Sequence, residues 1–191
     1  MAKGTSKNIK QKQIIMIFLG LGSNLSSSYG DRFKNIDLAL SNLKDRNIKL
    51  VKKSSFYETN SYPDKNKPKF INIVVSIETI LQPKDLMSVL ITVEENLERK
   101  RNKKNDPRTC DIDIIDYNKQ VMNIKYNNLN LTIPHKNMTD RNFVLYPLQE
   151  ICPNWIHPVT KKNIDVLIKN LKNKNNEITK LSQNDINNYA K

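Results

Sequence analysis

The stretch Cys110-Asp111-Ile112-Asp113-Ile114-Ile115-Asp116-Tyr117 restricts the possible folds more than any other part of the chain. Successive side chains of a β-strand point to opposite faces, so Cys110, Ile112 and Ile114 turn one way while Asp111 and Asp113 turn the other. A strand of this kind needs a sheet with a core on one side and something that tolerates two neighbouring carboxylates on the other.

The surrounding pattern supplies the rest of that sheet. Residues 14–21 form a short, β-branched-rich apolar run closed by Gly22-Ser23-Asn24, which suits a central strand. Phe33, Ile36, Leu40 and Leu43 recur at helical spacing after a Ser/Gly/Asp cluster at residues 28–31. Residues 49–57 and 70–79 read as strands, separated by a polar loop at 58–69 that carries Pro63 and Pro68 and is too long for a tight hairpin. Pro83 suits a first helical turn, and Leu86, Leu90, Val93 and Leu97 continue that helix. Residues 121–124 are placed to pair back onto the Asp111 strand through Asn118-Lys119-Gln120. Residues 129–133 read as another strand and 143–151 as a short helix. The order strand, helix, strand, strand, helix, strand predicts an α+β fold with a ferredoxin-like βαββαβ core, its antiparallel sheet covered by helices.

At 191 residues the chain suits a single domain. Residues 1–13 read as a flexible basic extension, 14–160 as the domain, and 161–191 as a polar C-terminal extension with one amphipathic helix near 164–171. The longest apolar run falls far short of the roughly 20 residues a membrane span requires. Two cysteines without metal-type spacing argue against a disulfide scaffold or zinc site and for a reducing cytoplasm. Lys and Arg exceed Asp and Glu by 32 − 19 = 13, so an anionic partner is expected, with phosphate the first candidate.

Paired acids on one strand face repel each other unless a cation intervenes, and Mg²⁺ matches hard oxygen ligands while leaving positions for substrate phosphates. A bare Asp-x-Asp is also compatible with an ordinary solvated face. Here Arg108 precedes the pair, and Arg99 and Arg101 stand in a cation-rich segment just upstream, so phosphates could be held from both sides. His135, after Pro134, and Arg141 can add donors at the same sheet edge. Phe70, Asn72 and Phe143 are the residue types a flat heterocycle requires, though strand aromatics usually belong to cores. His157 has no evident partners and reads as structural. Neither a P-loop nor a complete dinucleotide-binding glycine fingerprint occurs, since Leu25 stands where the third glycine belongs. An RNA-binding module of the same fold class would suit the charge, but its aromatic strand motif is missing. A nucleotide-sugar transferase with an Asp-x-Asp metal site is a third possibility.

Several segments together resemble one family. Leu21-Gly22-Ser23-Asn24-Leu25, Ser54-Ser55-Phe56-Tyr57-Glu58-Thr59, Phe70-Ile71-Asn72, Pro107-Arg108-Thr109-Cys110-Asp111-Ile112-Asp113-Ile114, and Ile133-Pro134-His135 through Arg141-Asn142-Phe143 occur in the order found in the 6-hydroxymethyl-7,8-dihydropterin pyrophosphokinases of folate biosynthesis. The resemblance implies a ferredoxin-like fold and transfer of the β,γ-diphosphate of ATP to the pterin hydroxymethyl oxygen, with release of AMP. It implies that Asp111 and Asp113 hold two Mg²⁺ ions, and that Glu94, Arg108, His135 and Arg141 contact ATP. Arg99, Arg101 and Arg108 would be the catalytic arginines. Phe70 and Phe143 would sandwich the pterin, with Thr59, Asn60, Tyr62 and Asn72 reading its edge. The chain departs from the family pattern at Lys136, where an aromatic is common, and at Asn105-Asp106 before the proline. The implied partners are ATP and the pterin alone, without nucleic acid or membrane, acting on a monomer.

Overall fold

A computed structural model describes residues 16–100, 106–126, 129–171 and 177–189. The elements follow the order β1 (Ile17–Ser23), α1 (Arg32–Lys44), β2 (Lys49–Lys53), β3 (Tyr57–Thr59), β4 (Phe70–Glu78), α2 (Pro83–Asn96), β5 (Asp111–Tyr117), β6 (Met122–Tyr126) and β7 (Leu129–Ile133). A 3₁₀ turn (Met138–Asp140), α3 (Asn142–Ile151), α4 (Ile164–Lys169), β8 (Ile178–Lys180) and α5 (Gln183–Tyr189) complete the chain. The main sheet runs β5-β1-β4-β3-β8, with β2 also pairing β4, and every pairing in it is antiparallel. Central β1 and β4 with β5 outside β1 give the ferredoxin-like arrangement that the element order predicts.

The alternation of each strand divides the interior into two layers. Ile17, Leu19 and Leu21 of β1, Ile71, Ile73, Val75 and Ile77 of β4, and Ile112 and Ile114 of β5 pack beneath α1 and α2. Phe18, Val74 and Ile115 point the other way and pack with Val144, Leu145 and Leu148 of α3 and with Trp155. Burial of these aliphatic side chains is the main favourable contribution to folding. Helix starts follow the residues expected there: Asp31 caps α1, its Oδ1 accepting from the Lys34 N–H at 2.8 Å, and Pro83 occupies the first turn of α2. In β5 the register against β1 shifts between Leu19 and Phe18, which face Ile114 and Asp116, so Ile115 is bulged. Ile115 and Asp116 consequently both reach the α3 layer, where Asp116 Oδ2 accepts from Trp155 Nε1 at 2.8 Å.

Three local expectations differ from the structure. Residues 49–57 form two strands, because Ser54 interrupts the ladder by binding Val74 with both its backbone and its hydroxyl. β6 does not pair with β5. It pairs with β7 in a separate two-stranded sheet, while the outer edge of β5 receives the His135 N–H on the Ile115 carbonyl at 2.9 Å. The polar segment after α4 contributes β8, which extends the main sheet beside β3. Residues 1–13 and Arg101 lie outside the described residues. Among the described residues no helix is long and apolar enough to cross a membrane, and Cys110 and Cys152 are free thiols.

Candidate active site

One cavity of about 460 Å³ gathers most of the residues singled out in the sequence. Its floor is the α3-side face of three adjacent strands. Gly20 and Gly22 of β1 stand directly opposite Asp113 and Asp111 of β5, and Gly22 also stands opposite Asn72 of β4. Strand glycines weaken a sheet by removing packing, and here their lack of side chains opens the space between the carboxylates and the β4 residues. A methyl group at Gly22 would lie 3.2 Å from Asn72 Oδ1 and 3.6 Å from Phe70 Cδ1. Gly22→Ala is therefore expected to raise about tenfold the KM of a ligand seated against Phe70 and Asn72 while leaving that of a ligand held at the charged end within about twofold. Steady-state titration of each ligand checks this, and unchanged affinity at the aromatic end would contradict the assignment of the floor.

The phosphate-seeking end is dense in charge. Arg108 is fixed through its backbone: its N–H donates to Asn24 Oδ1 at 2.7 Å, and its carbonyl accepts from the Asn24 and Leu25 amides at 3.1 Å each. Its Nη1 donates to Asp111 Oδ2 at 2.7 Å, its guanidinium lies 5.6 Å from the Phe70 ring centre, and its Nε is buried without a hydrogen-bond partner among the described residues. Arg99 bridges the other Asp111 oxygen to Glu94. Burial opposes the Arg99 charge, but Asp111 and Glu94 hold its pKa above the ordinary arginine value. Arg141 Nη1 donates to Asp113 Oδ2 at 3.3 Å, with His135 Nε2 at 3.8 Å from the same oxygen.

Burial and the nearby Asp111 charge raise the Asp113 pKa, although 40% of its side chain still meets the solvent of the cavity. The carboxylate lines a deep concave wall, so it is accessible and yet largely surrounded by protein. Burial, with help from Arg141 and Lys136, lowers the His135 pKa against the pull of Asp113. Neutral His135 accepts the Asn137 N–H on Nδ1 at 3.2 Å, which assigns its proton to Nε2, on the side of Asp113 and Arg141.

The apolar end holds the candidate ring contacts. Phe70 and Asn72 share the cavity face of β4, alternating with buried Ile71 and Ile73. Asn72 Nδ2 donates to Thr59 Oγ1 at 3.0 Å, which fixes the amide and leaves its oxygen toward the Gly22 gap. Thr59, Asn60 and Tyr62 line the wall beyond it, Tyr62 being largely exposed. Phe143, at the start of α3, lies 5.5 Å from the Arg141 guanidinium and completes the lining.

One expected contact is corrected. Glu94, read as an ATP ligand, is buried at 2% exposure and does not line the cavity. One of its oxygens accepts the Ile112 N–H at 2.7 Å and pairs with Arg99, so it holds β5 and Arg99 from behind. The sequence reading quoted Gly22 and Asn24 within segment 21–25 but gave neither a role, and it missed the lining residues Asn137 and Asp140. Two glycines spaced by two within a strand were the available sign of the floor. The role of Asn24 was not legible, because it depends on Arg108, 84 positions away.

Two carboxylates on one strand face fit Mg²⁺, which commonly takes one or two protein carboxylates and completes its shell with water and phosphate. Among the described residues no group of three or more His, Cys, Asp or Glu side chains could enclose a metal.

Taken together, the fold and cavity set cations and carboxylates beside an aromatic slot on a ferredoxin-like sheet. The family described as 7,8-dihydro-6-hydroxymethylpterin-pyrophosphokinase (HPPK) matches residues 18–153. The chain is 37% identical over 146 residues to the 2-amino-4-hydroxy-6-hydroxymethyldihydropteridine pyrophosphokinase of Aquifex aeolicus, covering 76% of this chain and 86% of that one. The corresponding enzyme of Haemophilus influenzae is 34% identical over 76% of this chain and 86% of its own. A folic acid synthesis protein of Pneumocystis carinii is 35% identical over 78% of this chain, which spans only 19% of that longer protein. Wild-type HPPK-DHPS of Plasmodium falciparum shares the fold, with a TM-score of 0.64 at 18% identity over 81% of this chain and 40% of that one. The chain belongs to the HPPK family, and its activity is that of an ATP-dependent diphosphotransferase.

Proposed function

We propose that the chain transfers the β,γ-diphosphate of ATP to the hydroxymethyl oxygen of 6-hydroxymethyl-7,8-dihydropterin, releasing AMP. A bond forms between that oxygen and the β-phosphorus, the bond from the β-phosphorus to the oxygen retained by AMP breaks, and the hydroxyl proton is released. The observation that carries the reading is the shared cavity, in which Asp111 and Asp113 stand on the same face as Phe70 and Asn72. Phe70 and Phe143 would hold the two faces of the pterin, and Asn72, Thr59, Asn60 and Tyr62 would read its edge.

Asp111 and Asp113 would hold two Mg²⁺ ions, which when bound neutralise the triphosphate and make the acceptor alcohol more acidic. Arg99 and Arg108 both pair with Asp111. Phosphate oxygens would draw both guanidiniums away, leaving the carboxylate free and placing positive charge beside the departing AMP. Arg101 would act from the same segment. Arg141 and the Nε2 proton of His135 would hold other phosphate oxygens. No residue is assigned as a general base, because the reaction is mainly positioning and charge neutralisation. The proposed setting is a monomer in a reducing cytoplasm, the latter consistent with the free thiols of Cys110 and Cys152.

The test is product analysis with purified protein. AMP should appear from ATP only when the pterin and Mg²⁺ are both present. AMP formation without the pterin, or with a nucleotide sugar as the only donor, would overturn the assignment.

A further inference from the structure

The family match ends at residue 153, but the chain continues through α4, β8 and α5. β8 pairs antiparallel with β3 in the register Tyr57↔Lys180, Glu58↔Thr179 and Thr59↔Ile178. β3 is the strand that delivers Thr59 to the cavity wall, and Asn60 and Tyr62 follow it into loop 60–69. Both ends of this loop converge on one carboxylate. Glu58, immediately before Thr59, accepts from Lys69 Nζ at 2.9 Å at the far end of the loop. The other Glu58 oxygen accepts from Tyr189 Oη at 2.6 Å, and Tyr189 is in the last turn of α5. Its ring packs 5.4 Å from that of Phe33 and lies under Arg32, whose Nη1 donates to the Lys69 carbonyl at 2.7 Å. Between strand and helix, buried Leu181 donates its N–H to the Phe56 carbonyl at 2.9 Å, which fixes where the tail lands.

We propose that β8 and α5 form a strap that holds the pterin-reading loop in its binding shape, with Glu58 and Tyr189 as positioning residues. This inference rests on the reading of Thr59, Asn60 and Tyr62 as the pterin edge. A loop with no ladder of its own opens locally at low cost, and ordering it before the substrate arrives removes that cost from binding. Glu58 has 8% exposure, so losing the tyrosine hydroxyl removes a donor that solvent cannot readily replace. The effect should be confined to the pterin, because the phosphate contacts come from β5 and the start of α3, away from the strap.

The experiment uses the full chain with Tyr189→Phe and, separately, Glu58→Gln. It measures KM for each substrate, kcat, melting temperature and amide hydrogen exchange in loop 60–69. Tyr189→Phe should raise the pterin KM about fivefold, hold the ATP KM and kcat within about twofold, and accelerate exchange in the loop. Glu58→Gln should shift the same quantities further in the same direction. An unchanged pterin KM with unchanged loop exchange would overturn the strap. A parallel loss of both substrate affinities, kcat and melting temperature would also overturn it, since that marks general stabilisation. Parent protein that releases no AMP from ATP in the presence of the pterin and Mg²⁺ would sink the functional reading, whereas normal turnover with an unresponsive loop would sink the strap alone.

Discussion

Asp113→Asn will reduce AMP formation by about a thousandfold or more, yet its melting temperature will be no lower than that of the parent. The activity loss follows because the substitution removes one of the two β5 carboxylates facing the cavity, and the amide oxygen that remains is a poor substitute for a charged ligand. The stability result follows from the raised pKa of Asp113. A carboxyl group whose pKa is higher in the folded than in the unfolded chain disfavours folding once it is ionised, so folding stability falls as pH rises through that window. Removing the charge at neutral pH relieves that penalty and the repulsion from Asp111. Differential scanning calorimetry and a coupled AMP assay on the same preparation check both parts. A variant that loses stability along with activity would show that Asp113 supports the fold, and one that keeps its activity would remove it from the reaction.

Glu94→Ala will destabilise the protein by about 3–5 kcal/mol, the usual result of removing one partner from a buried ion pair. For a chain of this size that corresponds to a melting point lower by about 10 °C. The cause is twofold. The Ile112 N–H loses its side-chain acceptor within β5, and the buried Arg99 guanidinium loses one of the two carboxylates it pairs with, retaining Asp111. Activity will fall as well, because Asp111 and Asp113 flank Ile112, the strand residue that Glu94 anchors. Glu94→Gln separates the two causes: its carbonyl oxygen can still accept the Ile112 N–H, so it should recover much of the stability while leaving Arg99 less firmly placed. Thermal melts of the two variants provide the measurement, and an alanine variant melting within about 2 °C of the parent would show that Glu94 is not the anchor described.

The parts of this fold that were legible in the sequence are those set by local periodicity. Alternation in residues 110–114 gives both the strand and the shared face of Asp111 and Asp113, and the helical spacing of Leu86, Leu90 and Val93 gives α2. Pairing partners were less legible, because nothing within residues 121–124 tells whether β5 or β7 lies alongside. The edge of β5 is taken by the His135 amide, a contact made from well downstream. The tail shows a related limit. Ile178, Thr179 and Lys180 carry little apolar pattern, and they form a strand because β3 offers an open edge and Leu181 a buried anchor. Within the site, residues facing the cavity were recognisable by chemical type. Glu94 was not separable from them, since its sequence neighbourhood does not reveal that it is buried.

The bulge at Ile115 has a consequence for how this protein can change over generations. The two acids before the extra residue face the cavity, and the third, Asp116, is brought by that single offset to a tryptophan anchor in the same layer. Drift in the anchor need not disturb the cavity-facing half of the strand, because the irregularity absorbs small mismatches between them. Straightening the bulge with all its residues kept would have the opposite outcome: Ile115 would take the place opposite Phe18 and Asp116 would turn toward the α1 and α2 layer, leaving the Trp155 indole without its acceptor, so the offset itself should be retained even where substitutions are tolerated.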